Sequence, residues 1–153
     1  GIEDIVDFQP NNTEYPKRSA LGKGIRLLQR EWNSIAKKVG LPEIYSVLRL
    51  RYTDVAKNVL KLYETFSDHH HPTVFPNWDN SPRRKAATII QNDNPKDFEN
   101  WVREAANIVR KKSDDNQFLF VNAWNEWAES AHLEPEQKMG RAFLEAFKLG
   151  ISK

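Results

Sequence analysis

Two carboxylates, Glu126 and Glu129, stand three residues apart in a stretch that changes character midway. Phe118–Ala123 is short and apolar, the pattern of a buried strand. From Asn122 to Pro135 the chain then carries two Trp, two Asn, one His and three Glu. An apolar strand running directly into acids and aromatics is how α/β proteins deliver side chains to the mouth of a sheet. Paired carboxylates suit acid–base work on a glycosidic bond. A separation of about 5–5.5 Å serves a nucleophile with an acid/base, and about 6.5–9.5 Å leaves room for a water. In an extended chain residues three apart face opposite ways, whereas one helical turn brings their Cβ atoms to about 5–6 Å. The chain must therefore turn after the strand, and the spacing leaves the stereochemical outcome open. Trp124 and Trp127 flank the pair, and indole faces shield acids from water and stack on sugar C–H faces. The same composition also suits a strand end with core tryptophans and solvated glutamates.

A second polar group follows a second apolar run. Pro72–Phe75 reads as a short strand leading into Trp78, Asp79 and Asn80, with Arg83 and Arg84 just beyond. Asp79 and Asn80 suit sugar hydroxyls. The arginines suit a phosphate, if the donor is a nucleotide sugar; Arg83 equally suits an ion pair with Asp79. Both polar groups follow strand C-termini, which makes one pocket the expectation. His132 sits inside the acidic stretch as a pocket-wall residue. Pro135 holds Glu134 extended, so Glu134 either shapes the loop or bonds a hydroxyl. Adjacent histidines in a strand cannot all face one ion, so His69-His70-His71 is not expected to bind metal.

The run Asn122-Ala-Trp-Asn-Glu-Trp-Ala-Glu129, with Leu133-Glu-Pro135, resembles the signature of the WbsX family of polysaccharide biosynthesis. It is also similar to glycoside hydrolase family 99. Phe75-Pro-Asn-Trp-Asp-Asn-Ser-Pro-Arg83 resembles a second family motif, and Asp7-Phe-Gln-Pro10 a third, weaker one. The resemblance implies a (β/α)8 barrel of the TIM type, with this chain as one domain forming its C-terminal half. It implies that Glu126 is a base toward the sugar 2-hydroxyl, giving a 1,2-anhydro intermediate. It implies that Glu129 is the acid/base on the glycosidic oxygen, its proton held by burial against Trp127. Asn122, Trp124, Asn125, Trp127, His132 and Glu134 then contact sugar, together with Trp78, Asp79, Asn80 and Arg83. Ser130 departs from both families, which have Gly there, and puts the turn in question.

The elements that must position these groups alternate. Strands are expected over Ile2–Phe8, Ile44–Leu50, Pro72–Phe75 and Phe118–Ala123. Asn11–Pro16 reads as a turn. Helices are expected over Leu21–Val39 (face Ile25, Leu28, Trp32, Ile35, Val39), after a Thr53-Asp54 cap (face Val55, Val59, Leu62, Phe66), from Asn94-Pro95 onward, and over Gly140–Leu149. Trp32 and Trp101 read as core. About four βα units with parallel strands result. No Gly-x-Gly-x-x-Gly follows a strand, which disfavours a dinucleotide sheet. A half-barrel leaves two sheet edges open, so pairing with another copy or with an N-terminal half is expected.

At 153 residues and net charge +2, the chain is long enough for a core and makes no case for nucleic acid. Cysteine is absent, which excludes disulfides and thiolate chemistry. No signal peptide or membrane-spanning run is visible, so a cytoplasmic setting is expected, or a periplasmic one if a longer protein carries a leader. The start reads as cut rather than native. No cofactor or metal is implied. Three functions follow: a carbohydrate-active enzyme that hydrolyses or transfers, a non-catalytic glycan-binding fragment, and a nucleotide-sugar transferase relying on Arg83.

Overall fold

The computed structural model describes residues 3–10 and 20–152. The turn expected at Asn11–Pro16 lies outside them. Helix α3 (Pro95–Val109) forms where expected. Asn94 caps it by accepting from the Lys96 N–H at 3.1 Å, and Pro95 occupies the first helical position, where no N–H is needed. Its inward face is Phe98, Trp101, Val102, Ala105 and Val109, all buried.

Helix α3 backs a parallel ribbon. Strand β1 (Ile5–Val6) pairs parallel with β3 (His70–His71). Strand β4 (Thr73–Val74) pairs parallel with β7 (Phe120–Val121). Pro72 separates β3 from β4 and has no N–H to give, but its carbonyl accepts from Phe120 at 2.9 Å. The preceding carbonyl, of His71, accepts from Asp7 at 2.9 Å. Successive carbonyls of an extended chain point to opposite sides, so residues 70–74 hold β1 on one edge and β7 on the other. The crossovers are α1 (Ala20–Val39) with α2 (Tyr52–Tyr63), and then α3; α4 (Ala142–Ile151) follows β7.

The remaining strands lie outside this ribbon. Strand β2 (Leu48–Arg49), inside the expected Ile44–Leu50 run, pairs parallel with β6 (Thr88–Ile90). Strand β6 also pairs antiparallel with β5 (Trp78–Asp79). Strands β8 (Asn125–Glu126) and β9 (Ala131–His132) form an antiparallel pair. The architecture is mixed α/β with parallel strand pairs. Strands of two or three residues carry too few side chains to show a period, which is why β5, β6, β8 and β9 leave little trace in the sequence.

The core lies between α2, α3 and the ribbon. Tyr52 stands edge-on to Trp101 at 5.5 Å, and Phe75 to Trp101 at 4.9 Å. The Tyr52 hydroxyl donates to the Phe75 carbonyl at 2.6 Å, and the Tyr63 hydroxyl donates to that of Thr73. Burial pushes both phenols well above their ordinary range, so they stay protonated donors. Helix α2 starts without the expected cap: its N-cap is Arg51, with no side-chain bond. Its buried face is Tyr52, Val55, Ala56, Val59 and Tyr63, shifted from the one expected.

Helix α1 shows the largest departure. Trp101 is core at 1% exposure, but Trp32 is 40% exposed and Leu28 72%. The Trp32 indole N–H donates to the Pro42 carbonyl at 3.2 Å instead of lying in the core. Periodicity identifies a face that favours burial and says nothing of what covers it. No helix among the described residues is long and apolar enough to cross a membrane.

Helix α4 docks on α3 through Gly150, which stands at the end of the helix, one residue before its last, Ile151. A Cβ there would stand 2.7 Å from Val102 Cβ and 2.9 Å from the Glu99 carbonyl oxygen. Gly150→Ala is therefore expected to lower unfolding stability by about 1–3 kcal/mol, as overpacking does. Leu149→Ala, at a position 55% exposed, should stay within about 0.5 kcal/mol. Urea denaturation of the two variants checks the difference; equal losses would rule out a close-packed α3–α4 contact.

Candidate active site

The acidic stretch begins where β7 ends. The Asn122 N–H donates to the Val74 carbonyl at 2.8 Å, and its buried side-chain amide donates to the Gln9 carbonyl at 2.7 Å. Asn122 thus ties the ends of β7 and β1 together, across the strand between them. The chain then runs through β8, a 3₁₀ turn at Trp127–Glu129, and back along β9. The register pairs Asn125 with His132 and Glu126 with Ala131. The Trp124 carbonyl accepts from Leu133 and Glu134, both at 2.9 Å.

The 3₁₀ turn sets the direction of each side chain. Glu129 ends the turn, and Glu126 is the strand residue just before it, at φ −82° and ψ 74°. Trp127, two positions from Glu129 on a turn of three residues, faces away from it. Both carboxylates line one cleft of about 460 Å³, together with Trp78, Asn80, Arg83 and Phe8. Glu126 is exposed and Glu129 is buried, with 4% of its surface accessible.

The other wall is built by the β5–β6 turn. Trp78 is buried, lies edge-on to Phe75 at 6.5 Å, and its N–H donates to Asn77 Oδ1 at 3.0 Å. Asn80 Oδ1 accepts from the Thr88 N–H at 2.8 Å, which fixes the turn. Asp79 Oδ1 accepts from the Ser81 N–H at 2.8 Å. Arg83 does not pair with Asp79, the partner weighed from the sequence. Its guanidinium contacts the Glu129 carboxylate.

The two flanking tryptophans also differ from expectation. Trp127 stacks on His132 with ring centroids 3.9 Å apart and planes 22° apart, and its indole N–H donates to Glu134 Oε2 at 2.9 Å. Trp127 and His132 line a separate cavity of about 190 Å³, with Asn77, Asp93 and Lys138. Trp124 is 52% exposed and Asn125 is exposed. The aromatic wall beside the acids is Trp78 with Phe8. Phe8, Thr88 and Ala86 line the cleft and were not among the expected site residues. Phe8 had one signal, its place in Asp7-Phe-Gln-Pro10.

The histidine tract has a different task. His69 Nδ1 and His71 Nε2 both reach Asp4 Oδ1, at 3.1 and 3.0 Å, which joins the start of β1 to β3. These contacts hold the Asp4 carboxyl below its usual range. Among the described residues no group of three or more His, Cys, Asp or Glu is placed to hold a metal.

A family model described as Glycosyltransferase WbsX matches residues 1–147. Two curated proteins from Xanthomonas campestris pv. campestris, each described as uncharacterized protein WxcX, are similar to the chain. One, from strain B100, is 35% identical over 155 residues. The other, from a second strain, is 35% identical over 162 residues. Both alignments cover 100% of this chain and 20% of the relative, so the chain spans about a fifth of their length. No solved structure matches.

Ser130 closes the turn at φ 54° and ψ 17°, the left-handed region, where a side chain costs about 1–2 kcal/mol. Ser130→Gly is expected to stabilise the protein by about 1 kcal/mol in chemical denaturation; a loss of stability would show that the serine side chain outweighs the backbone conformation. Burial pushes the His132 imidazole below its ordinary 6.5. The folded state then binds this proton less readily than the unfolded one. Its contribution should be intact above pH 6.5 and fall as pH drops below that value. NMR titration of the His132 ring checks this, and a midpoint above the ordinary value would refute it.

Proposed function

This chain belongs to the WbsX glycosyltransferase family, and from that premise we propose that the Glu126–Glu129 cleft acts on a glycosidic bond of a cell-surface polysaccharide. The observation that carries the reading is the shared cleft: two carboxylates, one exposed and one buried, beside Trp78. In the proposed reaction Glu126 takes the proton of the sugar 2-hydroxyl as that oxygen attacks the anomeric carbon. Glu129 gives a proton to the departing glycosidic oxygen. In the second half Glu129 takes the proton of the incoming hydroxyl and Glu126 returns its own to the 2-oxygen. Water as the incoming group gives hydrolysis, and a sugar hydroxyl gives transfer. Trp78 and Phe8 supply the apolar faces for the ring.

The three in-order parallel strands with their helices fit part of a (β/α)8 barrel, and the exposed apolar stripe of α1 supports further strands and helices outside this chain. Activity is accordingly assigned to the full-length protein. A second reading, glycan binding without turnover, draws on the Arg83–Glu129 contact, which occupies the carboxylate the acid step would use.

The test uses the full-length protein with Glu126→Gln and Glu129→Gln, assayed on mannose- and rhamnose-type glycosides. Each variant should lose about 10²–10⁴-fold in kcat while sugar affinity stays within a few fold. Unchanged turnover in both variants sinks the acid–base assignment. Absence of turnover in every form, with unchanged glycan affinity, supports the binding reading instead.

A further inference from the structure

The acid cleft carries two guanidinium groups that the acid–base scheme leaves without a task. Arg83 and Arg84 stand together on a turn in which both their backbone N–H groups donate to the Asn80 carbonyl, at 3.2 and 3.0 Å. The Asn80 side chain roots that turn in β6 through Thr88. Both arginines line the cleft. The next cation along is occupied: Lys85 is held by Glu43 at 2.9 Å and lies over the Tyr45 ring. Arg84 makes no ion pair among the described residues.

Arg83 is in contact with Glu129, but the two partners are unequal. The arginine side chain is 49% exposed and the carboxylate side chain 6%. A long, half-exposed arginine can pivot to another anion, while a buried carboxylate on a tight 3₁₀ turn cannot follow it. The pair is therefore exchangeable from one side only.

We propose that Arg83 and Arg84 form a phosphate-binding site for the activated end of a sugar donor, a sugar phosphate or diphosphate, and that the incoming phosphate takes Arg83 from Glu129. The proposal rests on the cleft's being a glycosyl-handling site and names the donor for its transfer reaction: the anomeric bond to the phosphate oxygen breaks, the phosphate leaves on the arginines, and the glycosidic bond of the polysaccharide is the bond formed. A guanidinium fork matches phosphate oxygens two at a time, and two adjacent forks suit two phosphates. The exchange couples the acid–base residue to occupancy. In the empty cleft Glu129 is neutralised by Arg83. In the loaded cleft it stands unpaired beside the sugar, free to exchange protons.

Calorimetry on the full-length protein with pyrophosphate, and separately with inorganic phosphate, tests this. Wild type should bind pyrophosphate more tightly than phosphate, since a second phosphate engages the second fork. Arg83→Ala and Arg84→Ala should each weaken pyrophosphate binding about tenfold, and Arg83→Lys, which keeps the charge but not the fork, should fall between. Glu129→Gln should strengthen binding about tenfold, because Arg83 loses its charged competitor. Glu126→Gln removes the same charge from the same cleft without freeing Arg83 and should change binding less than about threefold. Equal gains in the two glutamine variants would overturn the exchange. Absence of pyrophosphate binding in both wild type and Glu129→Gln, or binding indifferent to Arg83→Ala, would overturn the site. Those results leave the glycosidic reading standing if the glutamine variants still lose turnover, so the two failures are distinguishable.

Discussion

The backbone of residues 70–74 bears on every part of the cleft. The His71 carbonyl takes β1 and the Pro72 carbonyl takes β7. A proline at the centre of a ladder removes a donor, and here only the acceptor is used, so the ladder continues on both edges. Beyond this segment the three chains diverge into the cleft: Phe8 from β1, Trp78 from the run after β4, Glu126 and Glu129 from the run after β7. The Asn122 amide closes the same end by bonding the Gln9 carbonyl. The Tyr52 and Tyr63 hydroxyls bond the carbonyls of Phe75 and Thr73, which sets the depth of the strand against α2. Loss of the ladder at Pro72 would separate the acids from the wall they face.

Within the cleft the decisive interaction is electrostatic. The buried Glu129 carboxylate meets the half-exposed Arg83 guanidinium, and a carboxylate taken out of water depends on such a partner. In the empty cleft Glu129 is half of that contact. Trp127, two positions away, is engaged with His132 and Glu134, and the shielding of the acid falls to Trp78 and Phe8. The hairpin separates two surfaces, an acid cleft on one side and an aromatic–polar cavity on the other. The left-handed Ser130 enables the separation, because it turns the chain back after a single 3₁₀ turn.

Parts of this were legible in the residues. Helix α3 was, because Asn94-Pro95 and a stripe of large apolar side chains specify start and face locally. The joining of the two motifs in one cleft was also legible, since both follow strands that end at the same side of a parallel ribbon. The pairing of β2 with β6 was not, because a run of two or three residues contains no period. The exposure of Trp32 was not, because an amphipathic pattern names no partner. Nearness in sequence puts Trp127 beside the acids, while the turn sends it to His132 and Glu134.

The sequence by itself determined which residues are available for chemistry and in what order the chain delivers them: two glutamates three apart after one strand, a tryptophan and two arginines after another, and helices between. These are local facts, set by spacing, capping and apolar period. The tertiary structure alone decided which of those groups meet. Arg83 reaches Glu129 across 46 positions of chain, Phe8 supplies a wall to acids more than a hundred residues later, and Trp127 turns toward His132. Contacts at such separations depend on how strands register and turns close, energies that belong to the folded whole and to no segment of it.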